Sequence, residues 1–203
     1  MILPQELAAE LLNLVDQFQK DPTNPRFKEC ISFGAGGRYS VMIWSPIKIY
    51  SLTGLICPFH NCPISPCMLT SDFEKQHSRR NPRLVTSLSR NIILIQQIYR
   101  CRDGPGHDLY SCSEDVLCSL PDTVKKRIPF KMFYRSAYHL DLIDYIFDQI
   151  SKGNNFSQIS ESVADLHLAD YLRHGGCEDE FFTEELTRYP SHENVSSFHL
   201  ILI

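Results

Sequence analysis

Long apolar runs are missing from this chain. No stretch approaches the roughly 18–20 residues a helix needs to cross a bilayer, so a membrane partner is not expected. The opening Met1-Ile2-Leu3-Pro4-Gln5-Glu6 holds no basic residue, which argues against a secretory signal. Without export, the eight cysteines are expected in a reducing interior, where such clusters serve metals more often than disulfides. The stretch Gly34-Ala-Gly-Gly37 lacks the Lys-Ser/Thr of a P-loop and the spacing of a dinucleotide fingerprint, and reads as a flexible turn. No carboxylate stands in an H-x-E or H-E-x-x-H frame, and no motif sets a nucleophile beside a base. A catalytic centre is therefore not expected.

What is present fits a globular chain. At 203 residues, with 43% hydrophobic and 22% charged residues, it makes one moderate domain or two small ones. The net charge of −4 is unevenly spread: residues 161–193 carry nine acids and two bases. Positive charge gathers in Lys75-Gln-His-Ser-Arg79-Arg80-Asn-Pro-Arg83 and in Lys125, Lys126, Arg127, Lys131 and Arg135, with no acid within the second group. Such clusters either meet nucleic-acid phosphates or are solvated loops.

Two cysteine–histidine clusters, about forty residues apart, dominate the chemistry: Cys57-Pro-Phe-His60-Asn-Cys62 and Cys101-Arg-Asp-Gly-Pro-Gly-His107. Thiolates and imidazoles are the ligands zinc prefers, and four close a structural site. Asn61 follows His60 where a metal knuckle usually has glycine. The expected set is Cys57, Cys62, Cys101 and His107, with His60 as the substitute for Cys62, because ligands one residue apart seldom share an ion. Cys30, Cys67, Cys112 and Cys118 read as small hydrophobes.

Periodicity organises the rest. Leu7, Leu11, Leu14, Val15 and Phe18 predict a helix over residues 4–20. Residues 39–46, 47–52, 84–85 and 91–99 predict strands, with 87–90 a turn. Ser113-Glu-Asp-Val opens a short helical turn capped by serine. Leu140, Ile143, Ile146, Phe147 and Ile150 predict a helix over 136–152 stopped by Gly153, with Asp141, Asp144 and Asp148 as its wet face. Helices over 156–166 and 167–174 would complete a helix-turn-helix layout. Its second helix offers His167, Asp170, Tyr171, Arg173 and His174, a surface poor in donors for guanine or phosphate. The tail from 177 is acidic, and its apolar end, Phe198–Ile203, suits a strand cut from a longer chain.

Together these predict an α+β chain: a small antiparallel zinc-stapled sheet followed by a three-helix subdomain. The segments are a helix and linker (1–37), a zinc module (38–121), a helical part (122–176) and an acidic tail (177–203).

The order Trp44-Ser-Pro46, Cys57-Pro-x-His60-x-Cys62-Pro63, Asn81-Pro-Arg83, Tyr99-x-Cys101, Gly106-His107-Asp-Leu, Val116-Leu-Cys-Ser-Leu-Pro121, Arg127-Ile-Pro-Phe130 and Gly153-Asn-Asn-Phe-Ser-Gln-Ile159 resembles a zinc-binding module of eukaryotic DNA-transposon proteins and genes derived from them. The resemblance covers residues 40 to about 175. It implies a structural zinc ion on Cys57, His60 or Cys62, Cys101 and His107, nuclear residence, and a role in DNA recognition or assembly. An inserted Asp-Gly-Pro precedes Gly106-His107, and the remainder is too short for a transposase catalytic core. A non-catalytic DNA- or chromatin-binding module is expected, with Arg79, Arg80, Lys125, Lys126, Arg127, Lys131, Arg135 and Arg173 as contacts. Two readings compete with it: a protein-interaction module acting through the zinc fold and acidic tail, and a metallohydrolase.

Overall fold

Eight consecutive residues, Ile92 to Tyr99, are buried. A strand with one wet face would alternate, so a continuous run means a strand covered on both faces. The computed structural model describes residues 5–34, 37, 39–69, 83–101, 108–133 and 137–174. In chain order these form α1 (Gln5–Lys20), a 3-10 turn (Pro25–Lys28), β1 (Ile31–Phe33), β2 (Tyr39–Trp44), α2 (Pro46–Ile49), β3 (Ile64–Leu69), β4 (Arg83–Thr86) and β5 (Asn91–Cys101). After these come β6 (Asp108–Tyr110), α3 (Glu114–Ser119), α4 (Asp122–Lys125), β7 (Phe130–Met132), β8 (Ala137–His139), α5 (Leu140–Ser151) and α6 (Phe156–Arg173).

The strands make one mixed eight-stranded sheet in the order β1-β2-β5-β4-β8-β7, with β3 and β6 also on β5. The first half of β5 pairs with β2, parallel, and with β4, antiparallel. Its second half pairs antiparallel with β3 and β6. Ser111 joins the two halves along one edge: its amide donates to the Gln97 carbonyl at 2.9 Å, its hydroxyl donates to the Trp44 carbonyl at 3.0 Å, and the Trp44 indole N–H donates to the Ser111 carbonyl at 3.2 Å.

Helix α1 lays Leu11, Leu14, Val15 and Phe18 on Val41, Ile43, Ile93 and Ile95 of one sheet face. Met42, Trp44, Ile92 and Leu94 point to the other face, where Val116, Leu120 and Val124 cover them. Tyr99 and Cys101 belong to this second cluster as well. The alternation therefore changes phase across Gln96 and Gln97, and that slip carries Cys101 to the face opposite α1. Helices α5 and α6 pack through Leu142, Ile143, Ile146, Ile159 and Val163 around Tyr138.

The expected small antiparallel sheet with a three-helix subdomain is overturned. The sheet is mixed, its parallel pairs being β2 with β5 and β4 with β8, and β7 and β8 from the supposed helical part belong to it. The stretch expected as a strand from Ile47 is α2, started by Pro46 in its first turn. Residues 137–139 are β8, so α5 begins later than expected. The two short helices over 156–174 are one 18-residue helix, so no helix-turn-helix forms. Phe147, expected on the apolar face of α5, is 49% exposed. Ser113 precedes α3 as expected but makes no side-chain capping bond. Helix α1, the β4–β5 hairpin and the stop at Gly153, whose φ of 86° suits glycine, stand as expected. Among the described residues no helix is long and apolar enough to cross a membrane.

Candidate metal centre

The first cluster is a closed knuckle. The Cys57 amide donates to the Cys62 carbonyl at 2.8 Å and the Asn61 amide donates to the Cys57 carbonyl at 3.0 Å. Asn61 holds the turn with φ 52°, the left-handed conformation that asparagine tolerates better than most residues. An Ile56–Pro63 bridge and the bond from the Ile64 amide to the Leu55 carbonyl extend the knuckle into β3. There Ile64 stands opposite Cys101, so pairing between β3 and β5 delivers the knuckle to the last residue of β5.

The result is three buried thiols whose sulfurs lie within 4.8 Å of one another: Cys57, Cys62 and Cys101. Cys62 Sγ and Cys101 Sγ are 3.1 Å apart, well beyond the roughly 2.05 Å of a disulfide. His60 Nδ1 lies 3.3 Å from Cys101 Sγ and 3.7 Å from Cys57 Sγ. Ligand atoms on a tetrahedral ion with bonds of 2.0–2.3 Å sit roughly 3.5–3.8 Å apart; the two His60 distances fall near that range, and the Cys62–Cys101 pair is closer. Burial pushes the Cys57 thiol up, but the backbone N–H groups of Phe59 and His60 and the side chains of His60 and Cys101 outweigh it and bring it down to about 7. Those contacts favour the thiolate, the form that ligates metal. This buried cysteine group can hold a metal ion.

Cys57, Cys62 and Cys101 converge as expected; His60 Nδ1 approaches Cys101 and Cys57 but is not part of that group of three. His107 lies outside the described residues. Cys112 is buried in the same cluster as the three thiols but outside their group, and burial pushes it up to about 12, while Cys30 and Cys118 are exposed rather than core residues.

Of the expected nucleic-acid contacts, Lys125, Lys126 and Arg127 form the end of α4 and the turn after it, Lys131 is on β7, and all four are exposed. Lys125 Nζ reaches Asp122 at 3.6 Å, and the Arg127 guanidinium lies 5.9 Å from the centre of the Tyr50 ring. Arg173 is in the last turn of α6. Arg79, Arg80, Arg135 and the acidic tail lie outside the described residues. Compared with protein-family models, curated proteins and solved structures, the chain matches none.

Proposed function

We propose that this chain is a non-catalytic, zinc-stapled module that binds nucleic-acid backbone. The observation that carries it is the meeting of Cys57, Cys62 and Cys101 at the joint between the knuckle and β5, with His60 Nδ1 beside Cys57 and Cys101 as the nearest fourth donor. Three thiolates and an imidazole favour zinc over harder cations, and four protein ligands leave no open position for substrate. The ion's role is then structural: it ties the knuckle, and β3 behind it, to the end of the long central strand. His107 would compete with His60 for the fourth position.

The resemblance to transposon-derived modules supports DNA as the partner and the nucleus as the site of action. So does the exposed series Lys125, Lys126, Arg127 and Lys131, in which one short segment presents four cations to solvent. A second reading, docking of a protein, is supported by Ile56 and Phe59, exposed by 46% and 55% on the knuckle itself.

The zinc-loaded chain tests the reading in a mobility-shift titration against duplex DNA. Affinity should fall steeply between about 50 and 200 mM salt, as for any protein holding several phosphates. Changing Lys125, Lys126 and Arg127 together to glutamate should abolish it. Absence of binding to any duplex at low salt refutes the nucleic-acid role and leaves the metal site to be judged separately.

A further inference from the structure

We propose that Cys62 and Cys101 form a site of reversible oxidation, in which a small hydroperoxide joins them in a disulfide and the metal ion leaves. This inference deepens the metal-centre reading and rests on it. Cys62 Sγ and Cys101 Sγ are 3.1 Å apart, shorter than the roughly 3.5–3.8 Å between ligand atoms on a tetrahedral ion. A disulfide needs roughly 2.05 Å, so the pair stands between the two bonding states. The bond would tie the knuckle to β5 across 39 residues of chain, as the ion does.

Cys57 belongs to the same group and also reaches Cys101, but its sulfur is engaged elsewhere. The backbone N–H groups of Phe59 and His60 donate to it, and His60 Nδ1 lies 3.7 Å away. A Cys57–Cys62 disulfide would close only the knuckle turn, whereas a cross-link stabilises more as the loop it closes lengthens. The three sulfurs belong to buried residues, yet the turn that joins Cys57 to Cys62, residues 58–61, is exposed throughout. A short exposed turn opens locally at little cost, which admits a hydroperoxide without unfolding the sheet.

One thiol attacks a peroxide oxygen: the O–O bond breaks, and a sulfenic acid and one water form. The second thiol attacks the sulfenic sulfur; the S–S bond forms, the S–O bond breaks and a second water leaves. Each sulfur loses one electron and each peroxide oxygen gains one, while the two thiol protons end in the water. Cys57 and His60 are then two ligands where a closed zinc site needs four, so the ion is released. A thiol reductant reverses the step.

The test is peptide mapping of the zinc-loaded full chain after about one equivalent of hydrogen peroxide, with free thiols alkylated and released zinc read by a chromogenic chelator. Cleavage after Phe59 separates Cys57 from Cys62. The expected product is a Cys62–Cys101 peptide pair, with Cys57 alkylated and zinc released in equal amount to the disulfide. Thiol reductant with zinc should restore the starting chain. The oxidised chain should also melt at least about 5 °C above the reduced, chelated chain. Pairing mainly of Cys57 with Cys62 or Cys101, pairing through Cys112, or zinc retained with no Cys62–Cys101 peptide overturns the redox step and leaves the metal centre standing. A chain that takes up no zinc refutes the metal centre itself, and the proposed release with it.

Discussion

His60 Nδ1 lies 3.3 Å from the sulfur of Cys101, forty-one residues further along the chain. Nothing in the local turn accounts for that proximity; the antiparallel pairing of β3 with β5 does, because Ile64 faces Cys101. The metal site and the sheet joint are therefore one structure, and disturbing either should loosen the other.

Cys101→Ser removes the ligand that β5 contributes. Since metal binding energy is folding energy in such sites, a loss of at least about 3 kcal/mol is expected. For a chain of this size that corresponds to a fall in Tm of roughly 10 °C. Chelator should lower the Tm of the parent chain and leave the Cys101→Ser chain nearly unchanged, as differential scanning calorimetry can read.

His60 and His107 are told apart by cobalt. With His60→Ala, the cobalt-loaded chain should lose affinity and change its visible absorption, while His107→Ala should behave as the parent. The reverse order of effects would assign the fourth ligand to His107.

The α6 contact with the sheet is polar. His167 Nε2–H donates to the Ser87 carbonyl at 2.9 Å, and Asp170 and His174 hold Arg90 at 2.6 Å and 2.9 Å. Asp170→Ala leaves Arg90, half-sunk between β5 and α6, without its carboxylate; about 3 kcal/mol of stability should be lost, measurable by urea unfolding.

Burial holds the His167 pKa below its ordinary value of 6.5, against the Ser87 carbonyl and the charges of Asp170 and Asp141, which pull it up. The unfolded chain then takes up the proton first as pH falls. The His167 contribution is complete above about 6.5 and is lost as pH drops through its lower folded value. Unfolding midpoints should fall below pH 6.5, and His167→Gln should flatten that part of the profile.

The same contacts explain why the sequence misleads over 156–174. Ile159, Val163, His167 and Asp170 are all buried on one face at helical spacing, so the core stripe continues in polar residues. Apolar periodicity stops at Val163, and one helix reads as two. Helix α1 was legible because its stripe is wholly apolar, and the β4–β5 hairpin because its strands are neighbours in sequence. The parallel pairing of β2 with β5 joins residues about fifty positions apart, and side-chain pattern says nothing of which strand becomes a partner. At the candidate metal centre, ligand type and spacing pointed to the three cysteines that the fold brings together, Cys57, Cys62 and Cys101. The approach of His60 to Cys101 comes from the pairing of β3 with β5, which composition does not report.

Ser111 offers a check on the joint away from the metal. Ser111→Ala deletes the hydroxyl bond to the Trp44 carbonyl inside the sheet and should cost about 1–2 kcal/mol without altering metal content. A lowered metal stoichiometry in this variant would mean that the two halves of β5 are more tightly coupled than the hydrogen bonds imply.

The most direct measurement is zinc-edge X-ray absorption on the purified chain. Three sulfurs at about 2.3 Å and one nitrogen at about 2.0 Å are predicted from Cys57, Cys62, Cys101 and a histidine. A shell of oxygen and nitrogen alone, or a well-folded chain that holds no zinc when supplied with it, would contradict the account.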